Sequence, residues 1–148
     1  ISSLIGQTEG VIYIQTLRQA VTAGNWVCRI DDGTTSNKLG FFILSNGTLV
    51  INITRNNVSI DIMSYINFLN LTNQGNAKIA LAYKNQDFAL AINGTIVATS
   101  SNLGAIPSMS VFRFSELFGT GVPNVLIHSV LLFKTRLTNT ELQQLTTL

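Results

Sequence analysis

Cysteine occurs once, at Cys28, so the chain can form no internal disulfide and has no paired-cysteine metal site. Histidine also occurs once, at His128, and charged residues make up only 11% of the 148, against roughly a quarter in typical soluble domains. No apolar run reaches the 18 or so residues that a membrane-spanning helix needs, because polar residues or glycine interrupt each one. Membrane insertion is therefore not expected. The nine basic residues (Arg18, Arg29, Lys38, Arg55, Lys78, Lys84, Arg113, Lys134 and Arg136) stand singly along the chain. Without a basic cluster to release counterions from a phosphate backbone, a nucleic-acid partner is excluded. The chain opens at Ile1 without methionine or a signal-peptide pattern, and the expectation is one domain over residues 1–148 that forms the C-terminal part of a longer protein.

What the chain does have is short, strongly patterned apolar segments. Hydrophobic residues reach 46% and the mean hydropathy is +0.35, so solubility must rest on Asn, Ser, Thr and Gln. A chain of this length can bury about two-thirds of the surface its unfolded form exposes, enough for a core without covalent staples. Ten segments rich in Ile, Val and aromatics, bounded by Asn, Asp or Gly, read as strands: 10–16, 25–31, 39–45, 48–54, 58–63, 77–84, 87–93, 95–100, 110–115 and 125–134. Asn46-Gly47 and Asn93-Gly94 mark tight hairpins. With the reversal at Lys84-Asn85-Gln86-Asp87, the second of these makes 77–100 a three-stranded meander. Only the C-terminus reads as helical. There Thr138 and Glu141 have the spacing of a capping box, and Leu137 and Leu142 that of a hydrophobic staple. The fold class is thus all-β, an antiparallel sandwich with a short C-terminal helix lying on it.

Period-two alternation assigns faces. In "NWVCRID" it puts Trp26, Cys28 and Ile30 on one side and Val27, Arg29 and Asp31 on the other. Cys28 then reads as a small buried hydrophobe, and Trp26, beside it, as core. In "VLIHSVLLF", His128 shares a face with Leu126, Val130 and Leu132 and reads as a packed structural histidine. In the meander, Ile79, Leu81, Tyr83, Phe88, Leu90 and Ile92 share the core face, and Ala80, Ala82, Lys84, Ala89 and Ala91 the other. Alanine is depleted in strands, so four of them on one face suggest a close-approach surface. The candidate ligand-binding or subunit-contact site is accordingly Ala82, Lys84, Asn85, Gln86, Asp87, Ala89 and Ala91. Trp26, Tyr13, Tyr65 and Tyr83 are the aromatics able to stack on a sugar.

Catalysis finds little support. The seven acids are Glu9, Asp31, Asp32, Asp61, Asp87, Glu116 and Glu141. Asp31 and Asp32 are adjacent and would point apart on a strand, Glu141 is used by the cap, and no Glu-x-Asp-x-Glu run exists. No Gly-x-Ser-x-Gly elbow accompanies His128. The chain reads as a non-enzyme with no catalytic residues. The sequons at Asn46, Asn52, Asn57, Asn70 and Asn93 carry no signal in a chain so rich in Asn, Ser and Thr.

The segments "KIALAYKNQDFALAINGTIVATS", "SVFRF" and "IHSVLLFKTRLTNTELQQLTTL" resemble the concanavalin A-like, laminin G-type jelly roll found at the C-terminus of bacteriophage tail, fibre and other virion proteins. "RIDDGTTSNKLGFFI" is similar to the early Asp-Gly-Thr turn of that family, and the likeness runs from about Glu9 to Leu148. It implies a non-catalytic, lectin-like module that recognises a host-surface glycan or receptor, carried on a virion, or extracellular if the source is not viral. It also implies other virion subunits as partners and a homo-oligomer, a trimer in the case of a fibre. The alternative is a purely structural assembly domain; a glycoside hydrolase or a non-viral adhesin module ranks lower. Laminin G domains often bind calcium through loop oxygens, and the candidates here are Asp31, Asp32 and Asn37. An Asp-Gly turn accounts for the same residues without an ion.

Overall fold

A computed structural model describes residues 2–17, 25–44, 46–65, 76–101, 105–114 and 126–148; Arg18, Asn70 and Glu116 lie outside them. Ten strands form among these residues: β1 (Glu9–Leu17), β2 (Asn25–Asp31), β3 (Lys38–Ile43), β4 (Leu49–Arg55), β5 (Val58–Tyr65), β6 (Ala77–Lys84), β7 (Phe88–Ile92), β8 (Thr95–Ser100), β9 (Val111–Arg113) and β10 (Leu126–Phe133). They pair antiparallel into two five-stranded sheets. The first has the order β10-β1-β6-β7-β8 and the second β5-β4-β3-β2-β9. The sandwich and its closing helix, α1 (Asn139–Thr146), are those expected from the sequence pattern.

The inward positions of both sheets make the main core. Ile12, Ile14, Ile79, Leu81, Phe88 and Leu90 of the first sheet belong to the same cluster as Cys28, Ile30, Leu39, Phe41, Ile51 and Ile53 of the second, all at most 1% exposed. Each such large side chain contributes about 1.5–3 kcal/mol on burial, against about 0.5–1.5 for a typical hydrogen bond. Packing between the sheets therefore dominates. Tyr83 completes this core, its hydroxyl donating to the Gly6 carbonyl at 2.9 Å, and burial pushes the phenol up to about 12. A side chain at Gly10, opposite Tyr83 in the ladder, would meet the Tyr83 hydroxyl at 2.5 Å, so glycine leaves room for the ring.

The outer face of the first sheet is sealed by α1. Leu142, fully buried, joins Ala80, Ala82, Ala89, Ala91, Val11 and Tyr13 in a second cluster, with Leu137 and Leu145 packed against it. The alanines allow close approach, as the sequence suggested, but it is the chain's own helix that approaches. Polar ties hold the helix down. Gly94 N donates to Thr146 Oγ1 at 3.0 Å, and Lys78 Nζ to the Thr147 carbonyl at 2.7 Å. Arg136 joins Asp87 Oδ1 at 2.7 Å to Asn139 Oδ1 at 3.0 Å. Asn93 and Gly94 adopt φ 47° and 80°, the left-handed pair an Asn-Gly hairpin needs, whereas the β4–β5 turn achieves it with Asn56 and Asn57 (φ 48° and 66°).

Two bulges overturn face assignments. The β2–β3 register shifts between Trp26 and Cys28, so Cys28 enters the main core and Trp26 lies outside it, against Phe42 on the outer face. The β1–β10 register shifts at the partner of Gln15 and Thr16, skipping His128. Ile127 packs on the core, and His128 is exposed instead of buried.

The capping box is present in full: Glu141 N donates to Thr138 Oγ1 at 3.2 Å, and Thr138 N donates to Glu141 Oε2 at 2.7 Å. The Thr138 hydroxyl and amide both favour the ionised carboxylate and hold Glu141 below its usual value of 4.5. A lowered acid stabilises the fold above its unfolded value, and that contribution is lost as pH falls through the folded one. Thr138→Ala should therefore cost about 1 kcal/mol near neutral pH. Thermal unfolding followed from neutral pH down to about 3 should show Glu141→Gln converging on the parent at the acid end; parallel curves would remove Glu141 from the cap.

Candidate functional site

Among the described residues, two of the sandwich's four sheet faces cover each other and a third is covered by α1. The fourth is the outer face of the second sheet, and its side chains are of a different kind. Lys38, Gly40 and Phe42 of β3 alternate with the core residues Leu39, Phe41 and Ile43; Val50, Asn52 and Thr54 of β4 alternate with Leu49, Ile51 and Ile53. The bulge brings Trp26 onto this face, edge-on to Phe42 with ring centroids 5.5 Å apart. Lys38 Nζ and the Arg29 guanidinium lie over the indole at 5.1 and 5.5 Å, and Trp26 is 3% exposed.

Beside it lies a buried charge cluster. Asp31 Oδ2 accepts from Arg29 Nε at 3.1 Å and from Arg113 Nε at 2.9 Å, with Arg29 and Asp31 fully buried. The other oxygen, Oδ1, accepts from Gly33 N at 2.8 Å. Arg29 lies across Gly40, where a Cβ would meet Arg29 Cα at 2.6 Å and collide with the Cys28 carbonyl. Glycine here lets β3 pass close against the β2 backbone.

The expected calcium donors do not fit a cation. Asp31 is taken by two guanidiniums and an amide. Asp32 Oδ1 accepts from Thr34 N at 2.8 Å and Thr34 Oγ1 at 2.6 Å, while Asn37 turns its Nδ2 donor to Asp32 Oδ2 at 2.8 Å and gives its oxygen to Asn56 N. Slight burial raises Asp32, but these hydrogen bonds outweigh it and hold the acid below its ordinary value. This is a self-bonded Asp turn. No three His, Cys, Asp or Glu side chains converge for a metal among the described residues.

Farther across the face, Asn52 organises a polar cluster. Its Nδ2 donates to Asp61 Oδ1 at 2.6 Å and Ser59 Oγ at 2.8 Å, and Ser59 Oγ donates back to Asn52 Oδ1 at 3.1 Å. Between this cluster and the aromatic end lies a depression of about 300 Å³, with Trp26, Lys38 and Phe42 on one side and Asn52, Ser59 and Asp61 on the other. A second depression of about 460 Å³ runs on past Asn46, Thr48 and Ser64. Leu44 and Asp61 line both, so the two form one groove across β3, β4 and β5.

The site expected from the sequence lies elsewhere. Ala82, Ala89 and Ala91 are fully buried beneath α1, so the expected open alanine surface is corrected: no ligand can reach them. Lys84 pairs with Glu9 at 3.3 Å, and Asp87 is held by Arg136. Asn85 and Gln86 form the exposed corner, Gln86 at φ 58°. This corner fastens the helix start. The residues that line the groove were legible as outward positions in "LVINIT" and "VSIDIM"; Trp26 was not, because of its bulge.

No protein-family model matches the chain, and no curated protein sequence is similar to it. Solved structures are similar. Domain 4 of AbnA, a GH43 extracellular arabinanase from Geobacillus stearothermophilus, in complex with arabinotriose, superposes with a TM-score of 0.79 at 12% identity over 97% of this chain and 69% of that one. The CBM40 of the Ruminococcus gnavus IT-sialidase superposes at 0.72 with 15% identity, over 98% and 86%, and has also been solved bound to alpha2,3 sialyllactose. Trypanosoma rangeli sialidase matches at 0.69 with 14% identity over 94% of this chain but 22% of its own. At such identities the likeness establishes the fold alone, a β-sandwich of the architecture used by carbohydrate-binding domains.

The tight fit at Gly40 makes a prediction. Gly40→Ala should destabilise the chain by about 1–3 kcal/mol through overpacking and, by pushing the β2 backbone at Cys28 and Arg29 away, shift the emission of nearby Trp26, the sole tryptophan. An unchanged denaturation midpoint and spectrum would show that the β2–β3 spacing relaxes freely at residue 40.

Proposed function

We propose that the chain is a non-catalytic glycan-binding module whose ligand lies in the groove across β3, β4 and β5. The observation that carries this reading is the joining, in one groove, of Phe42 and Lys38, the latter lying over the buried Trp26, to a fixed polar cluster (Asn52, Ser59, Asp61). A pyranose or furanose ring needs both an apolar surface for its C–H face and donors and acceptors for its hydroxyls. Domains of the same fold that hold arabinotriose and sialyllactose support it. The cations at the β2–β3 side favour a glycan with an acidic group.

Hydrolysis would need two carboxylates about 5–10 Å apart flanking the bond. Among the described residues, Asp61 is the one acid lining the groove, and Asp31 is neutralised by two arginines. The module thus binds and releases its ligand intact. The likeness of its closing helix segment to virion domains supports placing it as the terminal domain of a longer phage tail or fibre protein, where the glycan is on the host surface.

Trp26 reports on the groove directly. Titration with sialylated, arabinose-containing and neutral oligosaccharides should change its fluorescence for at least one class, with no release of reducing ends. Lys38→Ala and Asn52→Ala should each weaken that binding about tenfold or more, the cost of one hydrogen bond in a partly desolvated site. Full affinity in both variants, or no response to any glycan on an array, would overturn the assignment.

A further inference from the structure

Two charged side chains line the groove, and among the described residues they do not meet. Lys38 and Asp61 both border the depression of about 300 Å³, yet neither forms an ion pair with the other or with any charged group of the described fold. The Lys38 ammonium lies over the Trp26 ring at 5.1 Å and donates to no described acceptor. Asp61, exposed, accepts through Oδ1 from Asn52 Nδ2 at 2.6 Å and keeps Oδ2 without a described partner. Asn52 has no further donor for a ligand, because its amide hydrogens go to Asp61 and Ser59. Its part is to hold the carboxylate.

The strand register sets how far apart the two charges stand. Gly40 of β3 pairs with Asn52 of β4, and Asn52 with Asp61 of β5. Lys38 starts opposite Thr54 but reaches the ring of Trp26, whose strand partner is Phe42, so its ammonium is carried along β3 toward the Gly40 row. Cation and carboxylate thus end on strands two spacings apart, about 10 Å. A depression with a cation at one end, an acceptor-only carboxylate at the other and no net charge favours a ligand with the same two charges reversed. An anion alone gains at Lys38 and is repelled at Asp61, and a cation alone does the converse. Contacts of about 2.8 Å at each end leave roughly 4–5 Å between the ligand's own charges, the span of one sugar residue.

We propose that this depression takes a zwitterionic sugar residue, one that carries a carboxylate and a free, unacetylated amine, with the carboxylate on Lys38 Nζ, the ammonium on Asp61 Oδ2 and the apolar face of the ring toward Phe42. This rests on the glycan-binding reading above and narrows its ligand class. Past Asp61, the second depression is lined by Asn46, Thr48 and Ser64 with no further charge, so the continuation of the saccharide there is uncharged.

Four monosaccharides separate the possibilities by charge: glucose, glucosamine, N-acetylmuramic acid and muramic acid are neutral, cationic, anionic and zwitterionic near neutral pH. Ligand-observed NMR titration of the wild-type chain, which reads millimolar affinities, should rank muramic acid about tenfold or more above each of the others, the worth of one charge-assisted hydrogen bond. Asp61→Asn, which keeps an acceptor for Asn52, should bind muramic acid and N-acetylmuramic acid alike. Lys38→Gln, which keeps most of the stem over Trp26, should bind muramic acid and glucosamine alike. The charge assignment is overturned, with glycan binding left standing, if the wild-type chain holds N-acetylmuramic acid or glucosamine as tightly as muramic acid, if the preference survives in both variants, or if array glycans bind and muramic acid does not. Should none of the four sugars and no glycan on an array bind, the glycan-binding reading of the groove falls and this assignment with it.

Discussion

Burial of the two inward sheet faces against each other is the constraint from which the rest of the molecule follows. With charge scarce and no disulfide available, the sandwich is held by interdigitated Ile, Leu and Phe, whose combined contribution exceeds that of the polar contacts around them. Once the inward faces are committed to each other, only the outward faces can do anything else. They have been put to opposite uses. One receives the helix and becomes a second core; the other carries the groove, lined by both apolar and polar side chains, several of them, Trp26, Val50 and Asn52 included, largely buried.

Small residues decide which face is which. A helix can seat on a sheet only where the side chains beneath are short, and Ala80, Ala82, Ala89 and Ala91 provide that bed under Leu142. The ties at its two ends, Arg136 to Asp87 and Gly94 to Thr146, are hydrogen bonds between the helix and the two hairpin corners of the β6–β8 meander. The corners therefore do more than reverse the chain. They tie both ends of the helix segment to the meander.

Much of this was legible in the sequence. Strand positions, the Asn-Gly corner at Asn93, the inward set of the meander and the capping box all follow from period, turn chemistry and spacing. The alanine face and the leucine stripe of the helix were also visible, but as separate features; that each is the other's partner is a tertiary fact that no local pattern carries. The two face errors share one cause. A β-bulge adds a residue to one strand only, so alternation read along "NWVCRID" or "VLIHSVLLF" goes out of phase at Trp26 and His128 with nothing in the local sequence to mark it. The groove was missed because its members come from three strands, and Asn52, Ser59 and Asp61 each look like an ordinary polar residue on an exposed face.

The same bulge that defeated the alternation is what gives the groove its aromatic end. Were β2 regular, Trp26 would point into the core with Cys28, and the outer face would offer Phe42 alone. Turned outward, the indole lies under Lys38 and Arg29; glycine at 40 lets β3 pass close against the β2 backbone at Cys28 and Arg29, and Asp31 anchors the guanidinium. The resulting arrangement is fixed by internal contacts, as is the Asn52 cluster, where Asn52 is bonded through both of its side-chain polar atoms. Sugars bind weakly per contact, because every hydroxyl hydrogen bond replaces one to water. On the glycan-binding reading proposed above, a groove whose donors, acceptors and rings are already fixed avoids the cost of ordering them, about 0.5–1.5 kcal/mol for each flexible side chain, a saving comparable to what a single sugar hydrogen bond contributes.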